Sequence, residues 1–124
     1  MVLSMTGALS FLDRVRAQAG VKACFVSRIP EIRVSRDKWD TLEKLQPAHE
    51  VAVKALGFDW HNLWRAEQVH GDLVMQIPAE GVEGQIVEGA DGLVTCGREG
   101  VLLGIYVADC AAVYICDCHT GALG

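Results

Sequence analysis

The chain has no uninterrupted apolar run of the ~20 residues that a membrane-spanning helix requires. Its longest near-uncharged stretch, Val101 to Cys116, is broken by Asp109. A basic leader is missing too: Met1 to Leu12 is mildly apolar but runs straight into Asp13-Arg14, which argues against a secretory signal. Basic residues are scarce after residue 50. Residues 1–50 carry eight basic and six acidic side chains, whereas 51–124 carry three and ten, so the net charge of −5 is concentrated in the second part. Without a basic stripe to neutralise phosphates, nucleic acid is disfavoured as a partner. An anion bound there must rely on Arg65 and Arg98, or on Arg28 from the other half. The five cysteines are odd in number and follow no disulfide-framework spacing, which points to a reducing compartment and a cytoplasmic protein. No repeat, low-complexity tract or linker divides the chain, so residues 1–124 read as one domain. Its 51% apolar and 22% charged residues suit a packed core.

What is present alternates between two periods. Ser4 or Thr6 can cap a first helix with Leu9, Leu12 and Val15 on its apolar face and Gly20 as its stop. Val21 to Ser27 alternates as a strand and ends at Arg28-Ile29-Pro30, because the residue before proline leaves helical geometry. Asp37 opens a helical pattern through Leu42, Leu45, His49, Ala52 and Leu56; Pro47 interrupts it, giving two helices or one kinked helix, and Gly57 closes it. His49 sits on the apolar stripe as a core residue, and His61 is a surface residue. From Leu63 the period becomes two, with Trp64, Ala66 and Gln68 on one side. His70-Gly71-Asp72 makes a turn, and Leu73 to Ile77 returns as a second strand. Gly92 to Thr95, Val101 to Val107 and Val113 to Cys116 follow as strands, and Ala122-Leu123-Gly124 reads as the start of another, so the chain stops in mid-architecture. Strands outnumber helices after residue 60, which predicts an α+β domain on a mixed or antiparallel sheet.

The chemistry gathers at Gly104-Ile105-Tyr106-Val107-Ala108-Asp109-Cys110. A carboxylate beside a thiol at a strand end needs a partner to compensate its charge. The thiol is a metal ligand or a nucleophile, or else a small buried hydrophobe. Cys116-Asp117-Cys118-His119 also invites a metal reading. Its donors are close in sequence and lie in a turn, so they read as surface or partly buried thiols beside a turn histidine, as does Cys96.

Three segments occur in order: Ala66-Glu67-Gln68-Val69-His70-Gly71, Gly89-Ala90-Asp91-Gly92-Leu93-Val94-Thr95, and Gly104 to Cys110. Together they resemble the polyphenol-oxidase or laccase-domain family, also described as purine nucleoside phosphorylases. Phe25-Val26-Ser27-Arg28 resembles the family's first strand, and the likeness spans residues 21–124. The family's Gly-Gly turn and Leu-Asn signature have no counterpart between Ile29 and Lys38. The resemblance implies an incomplete copy of a larger α/β/β/α-type sandwich, truncated at its C-terminal side. It also implies a zinc ion held by His70, Cys110 and a second histidine that lies beyond Gly124 in the family pattern.

Two imidazoles and one thiolate leave a tetrahedral position open, as in catalytic zinc sites. The implied activity is phosphorolysis of adenosine, inosine or methylthioadenosine, with inorganic phosphate as co-substrate and adenosine deamination as a companion reaction. Arg28 then neutralises phosphate, Asp109 orients a ligand or a backbone turn, and Asp91 caps a turn or contacts substrate. Polyphenol oxidation would require copper, for which the chain shows no specific ligand set. Two other readings stay open. One is a metal-free thiol hydrolase or deamidase in which Cys110 attacks and His70 acts as base. The other is a non-catalytic fragment, inert alone, a weak zinc binder, and self-associating through an uncovered sheet edge.

Overall fold

The computed structural model describes residues 12–18, 20–78, 83–96 and 100–124. The expected caps at Ser4 and Thr6, the apolar residue Leu9, and Arg98 lie outside them. Helix α1 is short, Asp13–Arg16, with Leu12 fully buried at its start. Gly20 ends this segment in the left-handed region at φ 77°, a conformation that glycine adopts without steric cost.

Helix α2 spans Lys38–Ala55. Asp37 caps it by accepting the Asp40 N–H at 2.9 Å, and the Ser35 hydroxyl braces the same turn by donating to the Asp40 carboxylate at 2.7 Å. The helix runs through Pro47 as a single element, so Pro47 does not divide it. Its C-terminus is a Schellman motif. Gly57, at φ 85°, donates to the Lys54 carbonyl at 2.9 Å, and Phe58 donates to the Val53 carbonyl at 3.2 Å while packing on Val53. The buried face consists of His49, Ala52 and Val53.

A 3-10 turn, Trp60–Asn62, leads into β1 (Leu63–Ala66). Strands β2 (Val74–Ile77), β3 (Ile86–Val87), β4 (Gly92–Thr95) and β5 (Leu102–Gly104) follow. They form two parallel ladders, β3-β1-β5 and β2-β4. Among the described residues, antiparallel pairing is confined to Leu123, which bridges Thr95 on one side and Cys116 on the other. The α+β class therefore holds, as an open arrangement of helices and small sheets.

Two local expectations change. Leu73 to Ile77 is a strand as expected, and it pairs with β4 because both edges of β1 are already taken by β3 and β5. The break after β1 at Gln68 and His70, each at φ 61°, turns the chain out of that sheet. Val21 to Ser27 joins no ladder among the described residues; it runs extended along the wall of a cavity, with Ala23, Cys24, Phe25 and Val26 half-buried. Of the two apolar runs after residue 100, only Leu102–Gly104 is a strand, with Cys116 adding a bridge.

β1 is the central element because both its faces are covered. Trp64 and Ala66 pack with Ile77, Ala90 and Leu93, while Leu63 packs on the other side with Val53 and Leu102. Gly84 lies so close to β1 that a Cβ there would collide with the Leu63 carbonyl. The far side of the molecule is open. A cavity of about 560 Å³ lies between the Val21–Cys24 segment and residues 111–115, and Val113 and Ile115 remain 72% and 63% exposed.

Candidate functional site

Gln68 to Gly71, leaving the end of β1, form a tight irregular turn that three other segments hold in place. From α2, the Lys38 ammonium donates to the carbonyls of Glu67 and Gln68. From the β3–β4 connection, Gly89 donates to the Glu67 carboxylate at 2.7 Å, and the Ala90 carbonyl accepts the Gln68 N–H at 2.8 Å. The Gln68 side chain reaches in the opposite direction. Its Nε2 donates to the Tyr106 carbonyl at 2.6 Å, and its Oε1 accepts the Tyr106 N–H at 2.9 Å. One amide thereby satisfies both backbone groups of a residue 38 positions away.

Asp91 completes the turn. Its Oδ1 accepts the His70 N–H at 2.9 Å and its Oδ2 accepts the Gly71 N–H at 2.8 Å. Its own N–H donates to the Leu73 carbonyl at 2.9 Å, so Asp91 is anchored from behind. Of the two roles open to Asp91, the geometry displays turn capping. The clamp holds His70 in the left-handed region, where a residue with a Cβ is strained, and presents its imidazole to solvent. The three sequence segments thus converge through side chain-to-backbone bonds, with Gln68 and Asp91 as the connecting residues.

The remaining candidates are less integrated. Cys110 is exposed, and its thiol donates to the Asp109 carboxylate at 3.7 Å. No His70–Cys110 hydrogen bond occurs among the described residues. Arg28 is exposed and makes no ion pair or hydrogen bond among the described residues. His61 is a surface residue, as expected, facing Glu83 at 2.8 Å.

His49 is a core residue, also as expected, at 5% exposure. Its ring lies 5.5 Å from that of Tyr106, and its Nδ1 has no hydrogen-bond partner among the described residues. Burial, reinforced by positive charge that includes Arg65, holds its pKa down to about 4, so the imidazole is neutral at physiological pH. Arg65 in turn places its guanidinium 5.0 Å from the Trp60 ring centre.

Donor chemistry tests the implied zinc. An imidazole and a thiolate suit zinc in kind. In number they fall short: among the described residues no compact group of three ligand side chains includes His70 or Cys110. Asp117, Cys118 and His119 do form one, with ligand atoms all within 4.8 Å of one another. They are exposed turn residues, as the sequence suggests, but spacing alone did not reveal that the turn brings their donors together. The roles of Gln68 and Lys38 were also missed, because a glutamine bonding to distant backbone leaves no local pattern.

Neither the curated proteins nor the solved structures contain a match to this chain. A model of the family described as multi-copper polyphenol oxidoreductase laccase matches residues 23–124, which include all three converging segments. The family is metal-associated by that description, and the chain belongs to it: it is a member of the multi-copper polyphenol oxidoreductase laccase family.

Proposed function

We propose that this chain carries part of a purine nucleoside phosphorylase centre, acting on adenosine, inosine or methylthioadenosine with phosphate as co-substrate. The observation that supports this reading best is the convergence of the Gln68–Gly71 turn, Asp91 and Tyr106, since it builds a rigid site from the segments that carry the family resemblance. His70 and Cys110 are two of the donors that a zinc centre there would use.

In the reaction a phosphate oxygen forms a bond to the ribose C1′ while the C1′–N bond breaks and the base leaves with its electron pair. Arg28, which is exposed, neutralises phosphate through two parallel N–H donors. Asp109 orients the Cys110 thiol, and Asp91 acts through the turn it clamps. Adenosine deamination at the same site is the companion activity.

The test supplies zinc and phosphate to the chain in a His119→Ala background, so that the Asp117 turn makes no contribution. Adenine or hypoxanthine should appear only when phosphate is present. Arg28→Ala should weaken phosphate use more than nucleoside binding. With only two protein donors, zinc binding should be weak and turnover low, and His70→Ala or Cys110→Ala should remove both. Base release at an equal rate without phosphate would replace this reading with hydrolysis. Zinc uptake indifferent to both substitutions would refute the centre.

A further inference from the structure

Residues Asp117 to Gly121 form a turn closed by backbone and side-chain hydrogen bonds. It is pinned at both ends by backbone bonds. Asp117 donates to the Ala122 carbonyl at 2.9 Å, and Gly121 donates to the Asp117 carbonyl at 2.8 Å. On one side it continues into the Cys116–Leu123 bridge. Inside the turn, one Asp117 oxygen accepts the His119 N–H at 2.9 Å and the other accepts the Thr120 hydroxyl at 2.7 Å. The carboxylate is therefore fixed in orientation, with a lone pair on each oxygen still available. The same hydrogen bonds hold its pKa below the ordinary carboxylate value, which keeps it anionic.

Beside it lie a thiol and an imidazole. The Cys118 Sγ to His119 Nδ1 distance is 3.7 Å. A tetrahedral zinc ion holding sulfur at ~2.3 Å and nitrogen at ~2.0–2.1 Å sets these two atoms ~3.6 Å apart. The turn thus presents sulfur and nitrogen at close to the edge length of such a site, with a carboxylate oxygen within 4.8 Å of both. All three residues are exposed, so a cation can enter without rearranging a core, and water can fill the fourth position.

From this geometry we infer that Asp117, Cys118 and His119 form a second metal site, separate from the His70 and Cys110 donors, that takes a borderline divalent cation of the zinc type. One thiolate, one imidazole and one carboxylate match zinc and its spectroscopic substitute cobalt(II) better than calcium or magnesium, which prefer all-oxygen sets. Binding replaces the thiol proton with the metal and releases that proton to solvent.

Two measurements test the inference. The first uses the unsubstituted chain, freed of metal, with zinc alone as probe and alkylation of each cysteine followed by residue-level mass mapping. A metal-bound thiolate is no longer a free nucleophile, so zinc should slow alkylation of Cys118 by about tenfold or more. Cys96, exposed and outside the group, should react at an unchanged rate. Protection of Cys110 in the same experiment reports separately on the phosphorylase reading.

The second adds cobalt(II) to a His70→Ala/Cys110→Ser variant. A sulfur-to-cobalt charge-transfer band should appear, disappear in Cys118→Ser and weaken in His119→Ala. Equal alkylation of Cys118 with and without zinc, or a cobalt band that survives Cys118→Ser, would overturn the proposal.

Discussion

Replacing Asp91 by alanine isolates the clamp on the His70 turn. Two amide hydrogen bonds, at 2.9 and 2.8 Å, are lost together. Hydrogen bonds to a charged group contribute about 1.5–3 kcal/mol each. Both donors belong to exposed residues, so water takes over part of the role and the low end applies, giving roughly 3 kcal/mol at most for the pair. Against this stands the cost of holding a non-glycine residue in the left-handed region, roughly 1–2 kcal/mol. Without Asp91 the turn relaxes and recovers that strain, so the net loss should be about 1–2 kcal/mol.

Urea unfolding followed by the fluorescence of Trp64, which is 4% exposed beside this turn, measures the change. The sharper measurement is a double-mutant cycle with His70→Gly. Glycine removes the strain only where the strain exists. The substitution should therefore be about 1 kcal/mol more favourable with Asp91 present than in the Asp91→Ala background. If the two changes add within ~0.3 kcal/mol, Asp91 does not enforce the conformation of His70, and the clamp argument fails.

Gln68→Ala strands the half-buried N–H and carbonyl of Tyr106, and should cost about 2–4 kcal/mol in urea unfolding and speed hydrogen exchange at the Tyr106 amide. An unchanged exchange rate would mean that the β1 turn and Tyr106 are held together by something else. His49 predicts a pH dependence. Its folded pKa of about 4 lies below the ordinary 6.5, so the unfolded chain binds the proton more readily between these values. Stability from this group is full above pH 6.5 and falls as the pH drops toward 4, by at most roughly 3 kcal/mol. His49→Leu should flatten that part of the stability profile, and a persistent slope would assign it to other groups.

Local chemistry was legible in the sequence wherever one residue decides its own conformation. Asp37 and Gly57 bounded α2, and the apolar stripe placed His49 and Ala52 in the core, because capping and 3.6-residue periodicity are local rules. The three segments that contain Gln68, His70, Asp91 and Tyr106 were identifiable as a set, though the bonds between them were not.

Strand partnership was decided only in three dimensions. Alternation in Leu73 to Ile77 reads the same whether the neighbour is β1 or β4, and only the occupation of both edges of β1 by β3 and β5 leaves β4 as the partner. Val21 to Ser27 has the pattern of a strand but joins no ladder among the described residues, because a ladder is a property of two segments. Asp117, Cys118 and His119 lie side by side in any conformation of the chain. Their donor atoms point into one small volume because the backbone bonds at Ala122 and Gly121 close the turn. Sequence determines which donors exist, and the direction each one points depends on hydrogen bonds made by residues elsewhere.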